Sequence, residues 1–314
     1  MGAALAGALL ARGERVIGLD NRFSTDQRAI ARLVEAGLEF VAGDIAEEAD
    51  VEAAFARAPL AAVYHFAAQA SAHPLAATVD YTERSNLRGP RVVLDAMLRH
   101  HVGTIVYASS FKVYGENLCG TIGEDQPYGA FRDMSHLSKV YAEKLLELYA
   151  TVHGLRCLAL RYGIVHGLGP VFKTDPRFMT APNKFCQQAA RGEPLSLFGG
   201  GQAPAGWVQL DDAVAATLAA AARPDFTGYT PLNVVGEVAS VAQVAALVRD
   251  AGAARGLAVL IEGLAHDVPV TVSGFTVTSW LDTSPGGSAL RGLRESIPAV
   301  LDHCLAAERA GAPR

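Results

Sequence analysis

The feature that most constrains this chain is the order of segments in its first half. Short apolar, β-branched runs alternate with longer helix-like stretches. The runs are RVIGLD (Arg15–Asp20), LEFVAGD (Leu38–Asp44), AAVYHFAA (Ala61–Ala68), GTIVYASS (Gly103–Ser110) and RCLALRYG (Arg156–Gly163). Helical stretches are expected near 25–36, 47–58, 81–101 and 135–153. This strand–helix order demands an α/β fold, a doubly wound parallel sheet covered on both faces. Runs without polar alternation, such as Ala61–Ala68, suit strands buried on both sides. The second half is looser. It predicts helices near 182–191, 211–222, 241–251 and 296–310, and strands in LSLFGGGQ, TPLNVVG and Val268–Val272. We expect a sheet domain over 1–165. Residues 166–314 should form mainly a small substrate-binding lobe, interleaved with strands that return to the sheet.

Composition narrows the function classes. The chain has 314 residues, half of them hydrophobic, with a net charge of −5, which excludes a disordered chain. Its basic residues are scattered and its pI is about 6.0, which argues against nucleic-acid binding. No uninterrupted apolar run is long enough for a membrane span. Cys119, Cys157, Cys186 and Cys304 lie far apart in no metal-ligand pattern. They suggest reduced thiols in a cytoplasmic protein, and no metal site is expected.

The opening MGAALAGALLARGERVIGLD has an apolar stretch of signal-peptide length but no positive n-region. It reads better as a helix, a turn at Gly13 and a strand ending in Asp20. In dinucleotide-binding units a strand leads into spaced glycines, a helix, a second strand and an acidic residue about 20 positions on. Gly2 stands as the last glycine, with Asp20 18 residues beyond it. The first strand and most of the glycine-rich loop are absent, as in a reading frame begun at an internal methionine. The expectation is that neighbouring strand edges lack a partner, with marginal stability and weak cofactor retention.

Five further segments occur in a telling order: HFAAQAS (His65–Ser71), SNLRGPRVVLDA (Ser85–Ala96), ASSFKVYG (Ala108–Gly115), LRYGIVHGLGP (Leu160–Pro170) and GEPLSLFGGG (Gly192–Gly201) before QLDDAV. Together they resemble the extended short-chain dehydrogenase/reductases, the NAD-dependent epimerase/dehydratase family. SHLSKVY (Ser135–Tyr141), GIVHGLGPVFKTDP (Gly163–Pro176) and NKFCQQAARGEPLSLFGGGQ (Asn183–Gln202) are less generic. These three resemble its UDP-sulfoquinovose synthase-like members. The resemblance implies a Rossmann-type fold, NAD as cofactor, and a sugar or nucleotide-sugar substrate modified through transient hydride transfer. It also implies a homodimer formed through the helices at 81–101 and 135–153.

The resemblance assigns cofactor contacts to Gly2, Asp20, Asn21, Asp44, Ile45, Ala67, Ala68, Gln69, Asn86, Ser109, Lys139, Tyr162 and Gly163. It assigns substrate contacts to Phe111, Lys112, His136, Thr174, Asn183, Gln202 and Trp207. Asp20 also has a physical rationale. A carboxylate at the end of the second strand accepts from ribose hydroxyls and repels a 2′-phosphate, so NAD is favoured over NADP. Arg22 blunts that preference.

The catalytic set is Ser110, Ser135 and Lys139, and it contains a departure. The family uses a Ser or Thr with a Tyr and a Lys spaced by four, where the ammonium lowers the phenol's pKa. Ser110 and Lys139 match, but Ser135 stands at the tyrosine position. An aliphatic hydroxyl is too weak an acid for that relay. Three readings stay open. Another group supplies the proton (His136, Tyr128 or Tyr141), the reaction does not need that base, or the chain is a catalytically degenerate NAD- or ligand-binding protein. Ala205 and Gly206 also stand where the family has an Arg-Asp pair for the substrate diphosphate. Lys173, Thr174, Arg177 and Lys184 could supply charge in the neighbouring loop.

Overall fold

The computed structural model describes residues 1–71, 73, 75–263, 274–283 and 290–311. The first half runs α1 (Gly2–Leu10), β1 (Ile17–Asp20), α2 (Gln27–Glu35), β2 (Glu39–Ala42), α3 (Glu48–Phe55), β3 (Val63–His65), α4 (Val79–Thr82), α5 (Gly89–Arg99), β4 (Thr104–Ser110), β5 (Gly120–Ile122), α6 (Met134–His153) and β6 (Arg156–Tyr162). The second half runs β7 (Ile164–His166), α7 (Ala181–Ala190), β8 (Leu195–Ser196), β9 (Pro204–Gln209), α8 (Leu210–Ala222), β10 (Tyr229–Val234), β11 (Glu237–Ser240), α9 (Val241–Ala253), β12 (Ile261–Glu262), β13 (Phe275–Val277) and α10 (Leu293–Arg309).

The main sheet has the order β10-β6-β4-β3 and is parallel throughout. β1 and β2 form a separate parallel pair. No pairing joins β1 to β3 among the described residues. One core layer packs α3, α5 and α6 on the sheet through Val51, Leu94, Met97, Ile105 and Leu146. The other face carries α1 and α8, through Leu5, Leu210, Val214 and Leu218. The lobe has its own core, where α7, α9 and α10 surround Trp207 and Leu195. The two parts interleave, because β10 returns to the sheet after β9 and α8.

Local chemistry explains the elements that place the site. Helix α6 starts where the Asp133 side chain accepts from the His136 backbone N–H, and it ends on Gly154 at φ 69°. The long helix expected over 81–101 is interrupted. Between α4 and α5, residues Glu83–Arg88 form a π-helical turn that contains Asn86. The glycine run breaks the strand expected in LSLFGGGQ. Gly199, Gly200 and Gly201 have φ of 58°, 74° and 64°, a conformation that disfavours side chains. The strand expected at Val268–Val272 lies outside the described residues.

Two buried histidines give the fold a pH dependence. Burial pushes His65 from 6.5 to about 3, with Lys139 adding repulsion. Burial pushes His166 to about 4, opposed by Asp212. Both are neutral when folded and protonate readily when unfolded. Their contribution to stability is therefore full above pH 6.5 and falls as the pH drops toward their folded values. Going from pH 7 to pH 5 should cost about 4 kcal/mol in urea melts, about 2 from each ring. The His65 ring stacks on Tyr107 with centroids 5.4 Å apart. His65→Phe should keep that packing and remove about half of the slope; an unchanged slope would refute the assignment.

Candidate functional site

Parallel sheets bind ligands beyond the carboxyl ends of their strands. Here those ends carry Asp20 at the end of β1, the segment Phe66–Ser71 after β3 and Ser110 at the end of β4. The turn after β1 is built around Asp20. Its carboxylate accepts from Arg22 N at 2.6 Å and from the Thr25 hydroxyl at 3.0 Å. After β2, Asp44 accepts from Arg84 at 3.2 Å and from Asn21 Nδ2 at 3.4 Å. Gly2 opens α1 facing Phe66, where an added Cβ would be in ordinary contact.

Asn86 is a positioning residue. It is buried, and its carboxamide accepts from Gln69 N at 2.8 Å and donates to Gln69 O at 2.9 Å and to Ser138 Oγ at 2.9 Å. It pins the loop containing Ala67, Ala68 and Gln69 to α6. Gln69 Nε2 donates to Ser71 O, but its Oε1 is buried without a hydrogen-bond partner. An orphaned acceptor at the strand ends is a feature that a bound hydroxyl or amide would satisfy. That acceptor, Asp20 and Gly2 fit a dinucleotide.

Lys139 is buried on α6. Its ammonium donates to Ala108 O at 2.7 Å and to Tyr107 OH at 3.3 Å. Burial lowers its pKa to about 8, and the Glu143 charge opposes the shift. The Ser110 hydroxyl accepts from Lys112 N and caps the short turn Phe111–Tyr114. Ser135 sits half-buried at the start of α6. His136 follows it, its Nδ1 2.5 Å from Asp133 Oδ2. A small cavity is lined by His136, Lys112, Gly115, Glu116, Ala130 and Arg132. His136 and Lys139 are three residues apart, so they share a helix face. The angle of about 100° between His136 and Ser135 therefore does not remove His136 from the lysine's side of α6.

Several of the assigned residues have other partners or surroundings in the structure. Trp207 is a core residue, 1% exposed, whose indole N–H donates to Ala239 O. Tyr162 is buried against Thr217, its hydroxyl 2.5 Å away. Gly163 meets another constraint, since a Cβ there would lie 2.8 Å from the Gly206 backbone. Ile45 packs in the core against the helix layer. Ser109 turns inward and donates to Glu143. Phe111 is buried among Tyr114 and Phe275. Asn183 is spent on both backbone groups of Gly167. Gln202 Nε2 donates to Gly200 O at 3.4 Å. Thr174 is exposed beyond them.

Sequence reading missed a buried polar network beneath the site. The Glu143 carboxylate accepts from Arg161, Ser109, Tyr128 and Tyr229. Its one signal was an arginine inside the apolar run RCLALRYG. The network also disposes of Tyr128 as a relay. Burial and the neighbouring carboxylate push that phenol up to about 12. Tyr141 lies on an outer face of α6, 41% exposed.

Residues 1–234 match the family model described as NAD dependent epimerase/dehydratase family. The chain belongs to that family. UDP-glucose 4-epimerase of Bacillus subtilis is 30% identical over 61% of this chain and 59% of its own length. UDP-sulfoquinovose synthase of Sulfolobus acidocaldarius is 27% identical over 83% and 78%. Among solved structures, the NAD complex of Thermus thermophilus UDP-glucose 4-epimerase superposes with a TM-score of 0.81 at 26% identity, covering 98% and 96%. The chain spans about half the length of several curated relatives that it matches. Among the described residues no helix is long and apolar enough to cross a membrane, and no cluster of three His, Cys, Asp or Glu is placed to hold a metal.

Proposed function

We propose that this chain is an NAD-dependent enzyme acting on a sugar or nucleotide sugar, with epimerase- or dehydratase-type chemistry. The observation that carries this reading is the convergence of Asp20, the orphaned Gln69 Oε1 and the Ser110 turn on one set of strand ends, in a chain of this family. Asp20 and Asp44 would hold the adenosine half, with Asn86 fixing the loop beside it. Gln69 would meet a ribose or amide group. When bound, NAD supplies a reversible hydride acceptor. Ser110 polarises the substrate hydroxyl, and Lys139 supplies a nearby positive charge. The catalytically degenerate alternative finds no support in these relatives.

His136 takes over the proton that Ser135 cannot carry. Asp133 at its Nδ1 fixes the ring and its tautomer, which leaves Nε2 for the substrate side. Lys112 lines the same cavity and would contribute charge toward a phosphate. The test is to denature the purified protein and identify released small molecules by mass spectrometry. NAD, alone or with a nucleotide sugar, supports the reading. Protein that stays empty after incubation with NAD contradicts it.

The reading includes a cytoplasmic homodimer. Leu137, Tyr141, Leu148 and Val152 form one stripe along α6, and all four are 41–61% exposed. Pairing of two copies through that stripe would cover it. Tyr141→Glu with Leu148→Glu should give a monomer by light scattering, where the parent chain gives a dimer. A monomeric parent would refute this part.

A further inference from the structure

The loop after β7 leaves the lobe and returns to it. Its base is closed by Asn183, whose carboxamide accepts from Gly167 N at 3.0 Å and donates to Gly167 O at 2.9 Å. Residues 167–183 are thus a compact loop with joined ends. Its tip is built as a unit. Asp175 caps the short turn Pro176–Phe178 by accepting from Arg177 N at 3.0 Å, and its carboxylate pairs with the Arg177 guanidinium at 2.6 Å. The Lys173 ammonium lies 4.9 Å from the Phe178 ring centroid in the same tip.

That tip is fastened to the sheet domain at two places. After β1, Lys173 donates to the Ser24 hydroxyl at 3.2 Å, and Phe178 meets Phe23 edge-on at 6.4 Å. Phe23 in turn packs on Tyr81 at 4.7 Å. After β3, the Ser71 hydroxyl donates to Arg177 O. Ser71 O accepts from Gln69 Nε2 at 2.8 Å, the carboxamide whose Oε1 has no partner. These are the two segments that carry Asp20 and Gln69. The fastenings are of a kind that opens. Phe23 is 58% exposed, and Lys173 and Arg177 are exposed as well. Contacts with so little burial stand at the low end of local stability.

We infer that residues 173–178 are a latch over the dinucleotide site, which must lift for the cofactor to enter or leave. Every fastening joins two groups of this chain, so closure needs no ligand. The inference rests on the proposed dinucleotide site and adds a gate to it. Such a latch slows association and dissociation together and leaves affinity nearly unchanged, whereas a direct contact with the ligand acts mainly on dissociation. The test is stopped-flow mixing of the full chain with NADH, read by nicotinamide fluorescence, then a chase of the complex with excess NAD⁺. In the parent the observed association rate should level off as NADH is raised, at the rate of opening. The double variant Lys173→Met with Phe178→Ala should raise both rates at least about tenfold and keep Kd within about threefold, which also shows that it is folded. Ser71→Ala should move both rates in the same direction by less. Unchanged rates in both variants, a faster dissociation alone with Kd weakened to match, or a parent association rate that rises linearly without levelling overturns the latch and leaves the site intact. A parent that binds no dinucleotide overturns the site as well.

Discussion

Glu143→Ala is expected to cost about 3–5 kcal/mol, much of the total stability of an ordinary domain. The carboxylate is fully buried and faces the guanidinium of Arg161, itself 3% exposed, at 2.7 Å. Tyr229 and Tyr128 donate to it at 2.7 and 2.9 Å, and Ser109 adds a further bond. Removing it strands a cation and three hydroxyls away from water. The wild-type pair is not a large net gain, because both charges were desolvated to make it. The penalty comes from the orphaned partners. Pairing Glu143→Leu with Arg161→Met should therefore be milder than Glu143→Ala alone in urea melts. A loss below about 1 kcal/mol for Glu143→Ala would show that the network is solvated.

His136→Asn is expected to lower turnover by about 10²–10⁴-fold, the usual range for a positioned acid–base group. Dinucleotide affinity should not move, because His136 lies at the start of α6 and lines the Lys112 cavity. The facing charged groups are Asp133, Lys112, Glu116 and Arg132, and Glu116 and Arg132 pair with each other at 3.3 Å. Asp133→Asn should retain partial activity, since the ring keeps a hydrogen-bond partner. Ser135→Tyr introduced into His136→Asn should restore turnover, because it rebuilds the Tyr–Lys spacing of the family. A His136→Asn protein with full kcat would remove the imidazole from the mechanism.

The sequence made the architecture legible because parallel strands buried on both faces leave unmistakable apolar runs. The strands at Thr104–Ser110 and Arg156–Tyr162 fall where GTIVYASS and RCLALRYG place them. Side-chain direction was not. Ser109 and Ser110 are neighbours in a strand, so one turns to the core and the other to the strand end. Trp207 and Tyr162 fit their motifs by position, yet burial and satisfied polar atoms assign them to the core. The Lys173 contact joins residues 149 positions apart, a distance at which no local pattern could register it.

The most direct test of the account is to load the protein with NAD, add a panel of UDP- and dTDP-hexoses, and follow both the reduced-nicotinamide absorbance and the proton NMR spectrum of each sugar. The account predicts at least one nucleotide sugar whose hexose signals convert to those of an epimer or a deoxy-keto sugar, with conversion abolished by His136→Asn. A protein that binds NAD but leaves every sugar spectrum and the nicotinamide absorbance unchanged would contradict it.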